Sequence, residues 1–239
     1  MPTRKKDARL KDFVRPFLVD NRDMLAHLPE QDRLILEQKA LPEEHKRGEW
    51  LFRQGGYPTG VYWLVSGKAK IFQGIQDGER RTLYLYADGD LIAYRQLIAE
   101  QPHPVSAVLL EDSVIRLIPA DTFRGLIQTS PFFARNMLTG LAREFTVWIN
   151  LLNAFKKYTV RQRIMLVLLI LHVQDGASAA PAGAVTLTRT DIAEFVGASL
   201  ETVVRMLKTI SADGLIGIDG REIAILEPLR MVEELTAGG

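Results

Sequence analysis

The residues best placed to do chemistry are Glu201 and Arg205, four apart within "LTRTDIAEFVGASLETVVRMLKTI", residues 187–210. An arginine can donate two hydrogen bonds to O6 and N7 of a guanine, and a glutamate can accept one from N4 of a cytosine. The same two residues one helical turn apart also make an ordinary intrahelical ion pair, worth only about a few tenths of a kcal/mol. What surrounds them separates these readings. Ile192, Ala193 and Val196 can share one face of a first short helix, with Asp191 and Glu194 outside. Gly197 permits a sharp turn, and Ser199 is a good N-cap for a second helix. There Val203, Met206, Leu207 and Ile210 recur at the spacing of a core face, while Glu201, Val204, Arg205 and Lys208 occupy the opposite side. Two helices joined by a glycine turn, the second with a charged outer face, form a helix-turn-helix pattern. "GLIGIDGREIAIL" (214–226) follows as two short strands around Asp219-Gly220, a wing.

Charge points the other way. Residues 159–239 carry seven Lys or Arg against ten Asp or Glu, a net −3. Phosphate contacts normally supply much of the affinity for DNA, so binding here depends on where a few basic groups sit. The competing reading is a small-molecule or haem- and gas-sensing module whose winged helix contacts protein instead.

The rest of the chain must position this corner. Strands are expected at 61–65, 68–72, 82–86, 105–110 and 113–119, short runs of Val, Ile, Leu and Tyr. Ser66-Gly67 joins the first two, and Gln76-Asp77-Gly78-Glu79 marks a hairpin. Such close spacing suggests a barrel or sandwich. From about Ser130 the period changes. Leu138, Leu141, Phe145, Trp148, Leu152 and Phe155 follow spacings of 3, 4, 3, 4 and 3, a heptad seam. A helix lying lengthwise on the barrel would also be apolar, but a 3.5-residue repeat keeps one narrow stripe toward a second, identical helix. A dimerisation helix is therefore expected. Residues 160–173 form a further apolar helix, and "DGASAAPAGA" (175–184) a surface loop.

Composition narrows the classes of function. The 239 residues contain 47% hydrophobic and 25% charged side chains, with a net charge of +1, the balance of a soluble globular protein. With no cysteine, structural disulfides, thiolate zinc, cysteine-held iron–sulfur clusters and a cysteine nucleophile are excluded. The basic start "MPTRKKDARLKDFVRPFL" lacks the apolar core of a signal peptide. The longest apolar run, "IMLVLLIL" (164–171), falls short of the roughly 20 residues a membrane helix needs. A cytoplasmic location and no membrane partner are expected. There is no Ser-His-Asp set, metal-ligand spacing or phosphate-cradling loop, so the chain does not read as an enzyme.

Order and spacing together resemble the Crp–Fnr family of bacterial transcription regulators over nearly the whole chain. "GEWLFRQGGYPTGVYWLVSGKAKIF" (48–72) is similar to the family's opening barrel segment, with Gly48, Gly55 and Gly67 at its glycine positions. Gly89-Asp90 fits the next turn, and residues 187–210 the DNA-reading signature. The resemblance implies an α+β architecture: a cyclic-nucleotide-binding-like β-roll, a long dimerisation helix and a C-terminal winged helix-turn-helix. The expected boundaries are 1–28 for a basic N-terminal segment, 29–129 for the sensor, 130–157 for the helix and 158–239 for the DNA-binding domain.

Carried over position by position, Glu201 and Arg205 would read bases, with Val204 and Leu200 beside them. Arg189, Ser199, Thr202 and Lys208 would hold phosphates. The partners implied are double-stranded DNA, a second copy of the chain and RNA polymerase, and the site an inverted repeat of the TGA…TCA type. Cyclic-AMP-responsive members have an arginine where Leu200 stands. The small Ser or Gly usual in the family between the Glu and Arg is here Val204. The sensor departs further. Cyclic-nucleotide binders carry Gly-Glu-Leu, whose glutamate holds the ribose, and an Arg-Ser or Arg-Thr pair for the phosphate. "GDLIAYRQLIAEQPHPVSA" (89–107) has Ala93-Tyr94-Arg95 and Val105-Ser106 there, so control by cyclic AMP is not expected. Tyr94, Arg95, His103 and Ser106 remain as candidates for an effector pocket. No cofactor is expected, His103 being the one histidine in the pocket loop that a haem could use.

Overall fold

The structure, a computed structural model, describes residues 2–74, 79–175 and 187–237. Contacts group the chain into two units, Val19–Phe145 and a second made of Met1–Leu18 with Thr146–Gly239.

The first unit is a roll of two four-stranded antiparallel sheets. One has the order β1 (Pro42–His45), β8 (Ser113–Pro119), β3 (Gly60–Ser66), β6 (Leu91–Ile92). The other runs β2 (Trp50–Phe52), β7 (Ser106–Leu109), β4 (Ala69–Gly74), β5 (Arg80–Tyr86). The five strands expected from sequence are present, and the short β1, β2 and β6 complete the sheets. Alternation places side chains two apart on one face, so β5 buries Thr82, Tyr84 and Tyr86 together. The Tyr84 and Tyr86 rings meet edge to face at 5.2 Å. The hairpin expected at Gln76–Glu79 and the loop expected at 175–184 lie largely outside the described residues.

Helices α2 (Glu30–Lys39), α3 (Tyr94–Ala99) and α4 (Ala120–Thr129) close this unit. Its apolar cluster joins Met24, Leu36, Val61, Leu91, Tyr94, Ile118 and Phe123 to Phe133 and Met137 of α5 (Pro131–Lys157). At the start of α5 the Ser130 hydroxyl accepts from the Phe133 N–H at 3.2 Å, a side-chain N-cap.

The second unit is built on α6 (Val160–Asp175), α7 (Arg189–Val196), α8 (Leu200–Ala212), the ribbon β9 (Ile216–Asp219) and β10 (Glu222–Ile225), and α9 (Pro228–Ala237). Helix α6 is buried continuously from Ile164 to Leu171, and α7, α8, α9 and β10 all pack on it. Helix α1 (Pro2–Val14) packs on α6 and α9, with Leu10 and Val14 buried. The basic N-terminal segment is thus divided, α1 in this unit and Asn21 and Met24 in the other.

Helix α5 carries two heptad stripes offset by a single residue. Phe133, Met137, Gly140, Glu144, Val147, Leu151 and Ala154 are buried, each within its own unit. The neighbouring stripe is the seam expected from sequence. Leu138 and Phe145 are each 67% exposed and Leu152 59%. Leu141 is half-buried against the sensor cluster. Phe155 stacks edge to face on Phe195 of α7 at 6.0 Å, so the last seam position is taken up within the chain.

Candidate DNA-recognition surface and sensor site

The turn between α7 and α8 is built from local signals. Thr188 and Asp191 form a reciprocal capping box at the start of α7. Gly197 closes that helix at φ 65°, a left-handed conformation suited to glycine. Arg163 on α6 donates to the Val196 carbonyl at 2.6 Å and holds the end of α7. Ser199 then caps α8, its oxygen accepting from the Thr202 N–H at 3.2 Å and its hydroxyl donating to Thr202 Oγ1 at 2.9 Å. Ser199→Ala should cost about 1 kcal/mol and lower the melting temperature of this unit by about 5 °C. Calorimetry showing an unchanged transition contradicts a stabilising cap.

Val203, Leu207 and Ile210 of α8 are buried and Met206 half-buried, while Glu201, Val204, Arg205 and Lys208 face outward with Leu200. Glu201 and Arg205 make no ion pair with each other or with any described residue. The intrahelical pair that would have explained their spacing is not formed. Arg189 donates to the carbonyls of Gly220, at 3.0 Å, and Arg221. It clasps the wing turn to the start of α7, and any phosphate contact it makes is made from that position. Arg161 ties α6 to Asp213 at 2.8 Å and to Glu234 at 2.6 Å. The negative balance of residues 159–239 is also not that of the folded unit. With residues 1–18 and 146–158 included, 15 Lys or Arg stand against 12 Asp or Glu, a net +3.

In the sensor, Tyr94 is fully buried and Arg95 turns inward. Arg95 Nη1 lies 3.1 Å from Glu144 Oε2, and its guanidinium sits 5.2 Å from the centre of the Tyr84 ring. Asn21 links the elements around them. Its side chain donates to Glu144 Oε1 at 2.7 Å and to the Leu91 carbonyl at 2.9 Å, and accepts from the Leu91 N–H at 2.7 Å. Asp90 accepts from the backbone N–H groups of Asn21 and Ala87 at 3.0 and 2.9 Å. His103 stacks on Phe52 at 3.9 Å, and burial lowers its pKa. Ser106 accepts from the Gln54 N–H at 2.9 Å. Tyr94 and Arg95 therefore join α5, whereas His103 and Ser106 join the β2 side. Sequence reasoning missed Asn21 and Glu144. The available signal was a carboxylate at a heptad position otherwise filled by apolar residues.

Burial pushes the Asp90 carboxyl up to about 7, against the two N–H groups that favour its charged form. Between its ordinary value of 3.8 and about 7 the folded protein keeps a proton that the unfolded chain has lost. This contribution is full below the lower value and disappears as pH rises through the upper one. Asp90→Asn does not titrate. The stability of wild type relative to the variant should be greatest below about pH 4 and fall as pH rises to about 7. A gap independent of pH contradicts the shift.

A roll joined to a long helix and a winged helix-turn-helix defines a two-part regulator architecture. A cyclic nucleotide-binding domain model matches residues 42–130, and a Crp-like helix-turn-helix domain model matches residues 162–233. The chain belongs to the Crp–Fnr family of transcription regulators. It is 28% identical over 228 residues to the transcriptional activator protein Anr of Pseudomonas protegens, covering 95% of this chain and 90% of that protein. To the cyclic AMP receptor protein of Thermus thermophilus it is 27% identical over 190 residues, 77% of this chain and 86% of the relative. The structure of FixK2 from Bradyrhizobium japonicum superposes with a TM-score of 0.71 at 22% identity, covering 81% and 96% of the two chains. Among the described residues no helix is long and apolar enough to cross a membrane.

Proposed function

We propose that the chain is a homodimeric regulator that binds an inverted repeat in double-stranded DNA through α8, acts without cyclic AMP, and works on RNA polymerase. The observation that carries the reading is the unpaired Glu201–Arg205 edge at the start of a capped, outward-facing helix. Arg205 reads a guanine, Glu201 accepts from a cytosine, and Leu200 offers an apolar contact to a thymine methyl. Lys208 and Thr202 flank them as phosphate contacts. Two copies paired along Leu138, Phe145 and Leu152 present two such edges, about one DNA turn apart, to a TGA…TCA repeat.

The sensor lacks the groups that hold a cyclic nucleotide. Buried Tyr94 stands at the ribose-carboxylate position and Val105 at the phosphate-guanidinium position. Arg95, the guanidinium nearest that site in sequence, is engaged with Glu144. Cyclic AMP and cyclic GMP should bind no tighter than about millimolar, on the order of −4 kcal/mol. Calorimetric titration giving micromolar affinity overturns this part. Gel-shift titration of a TGA…TCA duplex against scrambled competitor tests the DNA reading, which fails if both are bound equally.

A further inference from the structure

Glu144 is the one charged residue in the buried stripe of α5, and its residue is only 2% exposed. An apolar side chain would fill such a position without removing a carboxylate and a guanidinium from water, which is costly even for a paired couple. Stability is therefore a poor reason for the pair. Its placement suggests another. Three elements converge on this carboxylate: the N-terminal segment through Asn21, β5 through Tyr86, and α3 through Tyr94 and Arg95. Asp90, one residue before β6, faces the same cluster through Asn21. The next residue along α5 is Phe145, on the exposed stripe.

We propose that the Glu144 carboxylate is a built-in anion of the sensor, held by Arg95 and Asn21 as a diffusible anionic effector would be. It fixes the angle at which α5 presents Leu138, Phe145 and Leu152. The consequence is a sensor permanently in its occupied state. This inference rests on the dimer reading above and deepens it, naming what sets the dimer helix in place of a ligand.

Removing the carboxylate leaves the half-buried Arg95 guanidinium and the buried Asn21 amide around a space of carboxylate size. Glu144→Ala should then depend on an external small carboxylate. Full-length wild type, Glu144→Ala and Arg95→Ala/Glu144→Ala are compared by sedimentation and thermal melting, in sodium acetate or sodium chloride of equal ionic strength. Wild type should respond to neither salt specifically. Glu144→Ala should dimerise about tenfold or more weakly, and about 50 mM acetate should raise both its association and its melting temperature over chloride. The double variant should show no acetate response. Wild-type association by Glu144→Ala, no acetate effect on it, or an equal effect on the double variant overturns the proposal. Glu144→Gln keeps the size and the Asn21 contact and covers the case in which Glu144→Ala does not fold. Wild-type association by a folded Glu144→Gln also overturns it. A monomeric wild type refutes the dimer reading instead, while the acetate response of the melting temperature still tests the anion site.

Discussion

Phe145→Glu is expected to give a folded monomer. In one chain this ring is 67% exposed, so a carboxylate there costs the fold little. Against a second copy of α5 the same position is an apolar contact, and two-fold symmetry introduces the charge twice. Burying these charges should weaken association by several kcal/mol, on the order of a thousandfold or more. Met137→Glu, on the buried stripe, should instead destabilise the sensor itself. Sedimentation and circular dichroism on both variants separate the effects. A dimer of wild-type affinity in Phe145→Glu means that the exposed stripe does not pair.

Arg205→Ala should cost about 1–3 kcal/mol per half-site and abolish the preference for guanine at the position it reads. The expectation follows from three local facts. Ser199 fixes the start of α8, Val203, Leu207 and Ile210 fix its rotation, and the guanidinium is not held by Glu201. Arg189→Ala should behave differently. Loss of its bonds to Gly220 and Arg221 frees the wing, so binding should weaken on all sequences by a similar factor. A titration in which Arg189→Ala alters base preference and Arg205→Ala does not would exchange their roles.

The winged helix was readable because its signals are short-range. Period, glycine turn and N-cap all lie within 24 residues, and the burial of α7 and α8 follows them. The outer apolar stripe of α5 is readable for the same reason, but its buried twin is not. The buried stripe is interrupted by Gly140 and Glu144, whose roles depend on Met24 and on Asn21 and Arg95, far away in sequence. No periodicity encodes such a pairing. Phe155 fits the heptad and also packs on Phe195 of its own chain, a contact that no periodicity encodes. The inward turn of Arg95 was equally hidden, because its partner lies 49 residues on. Helix α1 carries no strong apolar period, and its place on α6 and α9 changes the charge of the DNA-binding unit from the value its own residues suggest.

Selection from random duplexes by wild type and Arg205→Ala tests the central claim most directly. Wild type should enrich an inverted repeat with a G·C pair in each half-site, of the TGA…TCA type, and the variant should recover the repeat with that pair relaxed. The same motif from both proteins, or no motif from wild type, would show that α8 does not read bases.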